Sequence, residues 1–209
     1  MAEPKSILGI DFTSAPSRRK PITCARASFD GDTLRLDELV HWHKFEEFED
    51  ALAAPGPWIA GIDFPFGQSR RFVENIGWPR DWAGYVEKVA YLDRKSFKTT
   101  LEEYKKERPR GDKQHKRVCD VISRSQSPQT LYFTPVGLMF FEGAPRLPQA
   151  GVHLPHNHDG DKSRIVLEAY PGVAARQLIS DRSYKSDNLC ARAGDWSPAW
   201  SHSFFLFTD

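Results

Sequence analysis

Cysteine is scarce in this chain. Cys24, Cys119 and Cys190 are three residues in 209, widely separated and in no C-x-x-C spacing, which argues against a disulfide framework or a structural zinc site. An excess of one charge is also missing. Lys and Arg total 29 against 28 Asp and Glu, a formal charge of +1, so any nucleic-acid surface has to be a local feature. No apolar run approaches the ~20 residues that span a bilayer. The opening Met1-Ala2-Glu3-Pro4-Lys5 has no signal-peptide pattern, so a cytoplasmic protein with no membrane partner is the expectation. The hallmark sequences G-x-x-x-x-G-K-[ST], G-x-G-x-x-G and G-x-S-x-G are absent as well. P-loop, Rossmann and α/β-hydrolase chemistry therefore lack an anchor.

What the chain does have is an echo. Ile7-Leu8-Gly9-Ile10-Asp11-Phe12 and Ile59-Ala60-Gly61-Ile62-Asp63-Phe64 nearly repeat each other. Each is a short apolar run that ends in one aspartate and then in turn chemistry, the pattern of a buried strand. A lone aspartate in that position often only caps a helix or makes an Asx turn. A matched pair invites another explanation: on adjacent parallel strands ~5 Å apart the two carboxylates would converge, at the strand ends where open α/β sheets place their sites.

Between the echoes, residues 21–28 and 33–40 read as strands joined at Asp30-Gly31, a hairpin signal. Phe45, Phe48 and Leu52 then fall at helical spacing, ahead of Pro55-Gly56-Pro57. From about 68 to 164 the pattern becomes helices and loops. Trp82, Tyr85, Val86 and Val89 form one apolar stripe, and Phe97, Leu101 and Tyr104 another behind a Ser96 cap. Residues 134–145 read as loop, and Asp159-Gly160 as a second hairpin turn. Ile165 to Pro171 reads as a last buried strand carrying Glu168, and a helix is expected over about 172–180.

Three acids at strand ends, without cysteines or a histidine motif beside them, suit a hard oxygen-loving cation, Mg²⁺ or Mn²⁺. Two such ions would activate a water and stabilise the leaving oxygen of a phosphodiester. In that reading Asp11 bridges while Asp63 and Glu168 each hold one ion. His153, His156 and His158, with Asp159 and Asp161, lack the spacing of a helical metal motif and read as a polar rim. The basic run with Lys105, Lys106, Arg110, Lys113 and Arg117 is either a solvated helix end or a surface that tracks phosphates. His115, in its midst, reads as a solvated histidine, with a proton carrier or phosphate contact as the functional alternative.

Three leading strands with an acid on the first, a helix, an acid-bearing fourth strand and a later acid-bearing strand resemble the ribonuclease H-like fold. More closely, the two Gly-Ile-Asp-Phe segments, residues 135–147 and Glu168-Ala169-Tyr170-Pro171-Gly172 are similar to domain-of-unknown-function family 429, predicted nucleases of that fold. The likeness covers about residues 5 to 187. It implies an α/β domain with a ribonuclease H-like mixed sheet, flanking helices and a helical and loop insertion over about 68–164. It also implies a metal-dependent nuclease acting on DNA or RNA through Asp11, Asp63 and Glu168. Arg117 and Asp120 resemble a charged motif of the family. Relatives are expected to continue into a helix supplying a further acid; here Asp187 is the nearest substitute, and residues 188–209 read as a truncated or atypical tail. The rival readings are a phosphotransferase or ATPase of the actin-like fold, through a phosphate-binding turn at Asp11-Phe12-Thr13-Ser14, and a catalytically silent nucleic-acid binder.

Overall fold

The computed structural model describes residues 5–179; the Asp187 call and the tail lie outside them. The described chain is an α/β structure built on a six-stranded mixed sheet with the order β3-β2-β1-β4-β6-β5. Strand β1 (Lys5–Asp11) pairs antiparallel with β2 (Ile22–Phe29), which pairs antiparallel with β3 (Leu34–Trp42). The hairpin forms where expected, because the Asp30 carboxylate accepts the amides of Asp32 and Thr33 and Gly31 takes φ +110°. On the other side β1 pairs in parallel with β4 (Trp58–Ile62), and β4 with β6 (Asp161–Glu168).

The echoed sequence sets the central register. Gly9 stands opposite Gly61 and Ile10 opposite Ile62, so alternation sends Leu8, Ile10, Ala60 and Ile62 to one face, where all are buried. Helix α1 (Phe45–Ala53) lays Phe48 and Leu52 on that face, and Phe12 meets the rings of Phe45, Phe48 and Phe64 at 4.7 to 6.0 Å.

Most of the helices lie in the segment between β4 and β6: α2 (Arg70–Asn75), α3 (Trp82–Ala90), α4 (Arg94–Lys106), α5 (Val118–Ile122), α6 (Val136–Gly143) and α7 (Arg146–Gln149). The two apolar stripes are the buried faces of α3 and α4. Three local expectations are corrected. The cap of α4 is Asp93, whose carboxylate accepts the Ser96 amide at 2.7 Å. Residues 134–145 contain α6, because the small faces of Gly137 and Gly143 let a proline-led helix pack tightly: a Cβ on Gly137 would lie 3.0 Å from the Pro128 carbonyl oxygen. The Asp159-Gly160 turn leads to no hairpin, since the short β5 (Val152–His153) runs parallel to β6. The chain then enters α8 (Pro171–Ile179). No helix among the described residues is long and apolar enough to cross a membrane.

Candidate functional site

Asp11 closes β1 and is exposed, while Asp63 follows the last residue of β4 and is half-buried. The Asp63 amide closes the last pair of the β1/β4 ladder, Ile10 with Ile62, by donating to the Ile10 carbonyl at 2.9 Å. Asp11 and Asp63 therefore stand level, each the residue after the last registered pair of two neighbouring parallel strands, and alternation along β1 sends the Asp11 side chain to the face opposite Ile10. Both loops that follow them are pinned. Arg94 donates to the Ser14 carbonyl at 2.8 Å and pairs with Glu142 at 2.5 Å; Arg146 in turn holds Glu142 and Glu49. After Asp63, the Phe66 amide donates to Glu168 at 2.8 Å and the Phe66 carbonyl accepts the Trp82 indole at 2.8 Å.

Glu168 ends β6 opposite Ile62, and so has the opposite parity from Asp63. Its carboxylate faces Arg117, whose two terminal nitrogens donate to its two oxygens at 2.6 and 2.8 Å. The same guanidinium holds Asp120 through Nε and a terminal nitrogen at 3.1 and 2.7 Å, and the Arg117 backbone amide donates to Asp120 at 2.8 Å. Arg117 is the N-cap of α5 and Asp120 its third residue, and all the bonds between them run from arginine donors to the aspartate, which fixes the arginine at the helix start. Burial by itself would lower the Arg117 pKa, but the two carboxylates outweigh it and hold it well above the ordinary value.

Among the described residues, the one group of three potential metal ligands with ligand atoms within 4.8 Å of one another is Cys119, Asp120 and Glu168. Its two carboxylates already share a buried guanidinium, which supplies the charge a cation would. Asp11 and Asp63 are not members of that group. The acids expected at one point thus divide into two aspartates at the level ends of β1 and β4 and a glutamate bound by an arginine.

The basic run also divides. Lys106, Arg110 and Lys113 are exposed. Lys105 donates to the Gln129 carbonyl at 2.8 Å, with its pKa lowered by burial, and the Arg117 side chain is 9% exposed. His115 is buried, which corrects its reading as a solvated residue: its Nε2 lies 2.6 Å from the Tyr104 hydroxyl and its amide donates to Gln129. Arg71 and Arg108 both pair with Asp112, whose pKa is lowered by the Arg108 hydrogen bond first. In the histidine loop, His153 Nδ1 is 3.4 Å from Asp159, and the His158 ring is 6.2 Å from Trp82.

Sequence reasoning connected neither the Phe66 amide nor Arg94 with the strand ends. No local signal could have done so, since both contacts join segments far apart in sequence. Comparison with known proteins finds no matching family model, no matching curated protein and no matching solved structure. The class that the fold and its strand ends define is an α/β protein with a six-stranded mixed sheet, with two level aspartates at the carboxyl ends of its central parallel strands.

Proposed function

We propose that this chain is a ribonuclease H-like nuclease that hydrolyses phosphodiester bonds with the help of Mg²⁺ or Mn²⁺. The observation that carries the reading is the level placement of Asp11 and Asp63 on adjacent parallel strands. Two carboxylates brought side by side repel each other and attract a hard cation. The strand order, with β1 antiparallel to β2 and parallel to β4 and β6, supports the finer fold assignment.

A bound divalent ion would lower the pKa of a coordinated water and stabilise charge on the phosphoryl oxygens. The chain's own part is to hold the two aspartates rigidly, through the Arg94 bond to Ser14 and the Glu168 bond to Phe66. Asp11 and Asp63 are the acids suited to hold the ion; Glu168 is already bound by Arg117 and the Phe66 amide, and Asp187 lies outside the described residues. Lys106, Arg110 and Lys113 are the exposed cations suited to a sequence-independent phosphate contact.

A specific observation favours the second reading, a silent nucleic-acid binder: Arg117 occupies the carboxylate expected to complete the site. The phosphotransferase reading is less favoured, because Thr13 and Ser14 are 4% and 5% exposed and the Ser14 carbonyl is already bonded. The deciding experiment is a cleavage assay on single-stranded, duplex and branched DNA and RNA with Mg²⁺, Mn²⁺ or Ca²⁺, with ATP turnover followed in parallel. The proposal expects cutting with Mg²⁺ or Mn²⁺ and its loss in Asp11→Asn. Binding without cutting under every metal supports the silent binder, and ATP consumption supports the phosphotransferase.

A further inference from the structure

We infer that Glu168 is a positioning residue, which holds the loop behind Asp63 in place, and is not a ligand of the cation. The inference rests on the nuclease reading for the cation itself, and on the Arg117, Glu168 and Phe66 contacts for everything else.

A carboxylate has about four lone-pair sites, and three of those on Glu168 are taken: two by Arg117 and one by the Phe66 amide. Arg117 cannot leave easily, because its guanidinium also grips Asp120, which is 2% exposed and accepts the Ser125 hydroxyl. Register separates Glu168 from the aspartates too. It stands opposite Ile62, on the side of the helical segment, whereas Asp11 and Asp63 have the other parity. Neither aspartate belongs to the cluster of ligand atoms that contains Glu168.

What Glu168 does reach is the backbone three residues after Asp63. Its Oε2 receives both the Phe66 amide and one Arg117 nitrogen, so a single oxygen ties the β4 loop to the start of α5. Phe66 is 3% exposed, and its ring lies 4.9 Å from and tilted 46° to that of Phe64, which directly follows Asp63. Removing the acceptor would strand a buried amide in the loop that follows Asp63.

Glutamine separates the two roles. Its amide oxygen can still accept the Phe66 amide and one Arg117 nitrogen, but as a neutral group it is a poor replacement for a charged ligand of Mn²⁺. The test measures Mn²⁺ binding by calorimetry and Phe66 amide hydrogen exchange by NMR on the full chain and its Glu168→Gln, Glu168→Ala and Asp11→Asn variants. With positioning, Glu168→Gln keeps Mn²⁺ affinity within about threefold while Asp11→Asn loses at least about tenfold. Phe66 exchange accelerates at least about tenfold in Glu168→Ala and is rescued to within about threefold by Glu168→Gln.

A loss of Mn²⁺ affinity in Glu168→Gln as large as in Asp11→Asn overturns the inference, and so does Phe66 exchange that is unchanged in Glu168→Ala. If the parent binds no Mn²⁺, the nuclease reading falls, and the exchange data alone decide the positioning role. If Glu168→Ala does not fold, Arg117→Lys replaces it, since one ammonium cannot grip both carboxylates as the fork does. Faster Phe66 exchange with unchanged Mn²⁺ affinity then supports the inference; tighter Mn²⁺ binding, from a released Glu168, overturns it.

Discussion

Arg117 meets Glu168 through two hydrogen bonds of 2.6 and 2.8 Å, across 51 residues of sequence and at the carboxyl end of a central strand. The pair joins the helical segment to the sheet, and with Asp120 it places two carboxylates around one guanidinium. Removing the arginine alone strands both acids, at 3% and 16% side-chain exposure. Arg117→Met should therefore cost about 3–5 kcal/mol, the usual effect of breaking a buried pair from one side. Adding Glu168→Gln should return part of that loss, because it removes one stranded charge and keeps an acceptor for the Phe66 amide. Urea midpoints at constant slope check both statements.

His115 gives the fold a dependence on pH. The Tyr104 hydroxyl accepts from Asn75 at 2.8 Å and hydrogen-bonds His115 Nε2 at 2.6 Å, while the other nitrogen of the buried ring lies 3.8 Å from Asp112. Burial is the main cause of its lowered pKa; Asp112 opposes that shift and Arg71 and Arg108 reinforce it. The unfolded chain takes up this proton near pH 6.5, above the folded value. Stability from this group is thus complete above about pH 6.5 and declines as pH falls through the folded pKa. Urea unfolding between pH 7.5 and pH 5, values chosen to span about that point, should show the decline. His115→Gln should flatten its slope.

Gly143 sits where a side chain has no room. A Cβ there would lie 2.5 to 2.8 Å from three carbons of the Phe64 ring, which is 2% exposed and packed against Phe12 and Phe66. In an open helix Gly→Ala gains roughly 1 kcal/mol. Here the sign should reverse, with Gly143→Ala losing about 1–3 kcal/mol through overpacking. Thermal melts of the two proteins settle the sign.

Nucleic-acid binding, if present, should run through Lys106, Arg110 and Lys113, which are exposed. Replacing all three with alanine should weaken binding to unrelated sequences alike and reduce the salt slope by roughly one for each lost phosphate contact. Fluorescence anisotropy over a salt series would measure this. Lys105→Ala should act mainly on stability, because its ammonium already bonds the Gln129 carbonyl.

The sheet was readable from sequence where its signals were local. The Gly-Ile-Asp-Phe echo carried the parallel pairing of β1 and β4, the Asp30-Gly31 turn carried the hairpin, and Phe48 and Leu52 marked the buried side of α1. Helix α6 was hidden because its glycines read as loop residues, although they serve as contact surfaces. The site was readable only as a set of acids. Their division into Asp11 with Asp63, and Glu168 with Arg117, depends on strand parity and on one long-range salt bridge. Neither is visible in a residue list. Arg117 and Lys105 looked like surface cations for the same reason: a run of basic residues does not say which of them turn inward.

The same division predicts how the aspartate pair responds to metal. Asp11 and Asp63 stand level, each following the last registered pair of two neighbouring strands, so an ion held between them would stabilise the folded state. Asp11→Asn keeps the side-chain shape at an exposed position, so the metal-free variant should match the parent's stability to within roughly 0.5 kcal/mol. A ligand that binds only the folded state stabilises it by about 2.7 kcal/mol at a hundred times its Kd. Saturating Mn²⁺ should accordingly raise the melting temperature of the parent and leave Asp11→Asn unmoved, while Glu168→Gln, though less stable from the start, should keep the full Mn²⁺ increment. The increments separate the two groups of acids even if the starting stabilities differ, because each protein serves as its own metal-free reference. A parent that melts at the same temperature with and without Mn²⁺ would mean that the paired aspartates hold no ion, and the nuclease reading would lose its chemistry.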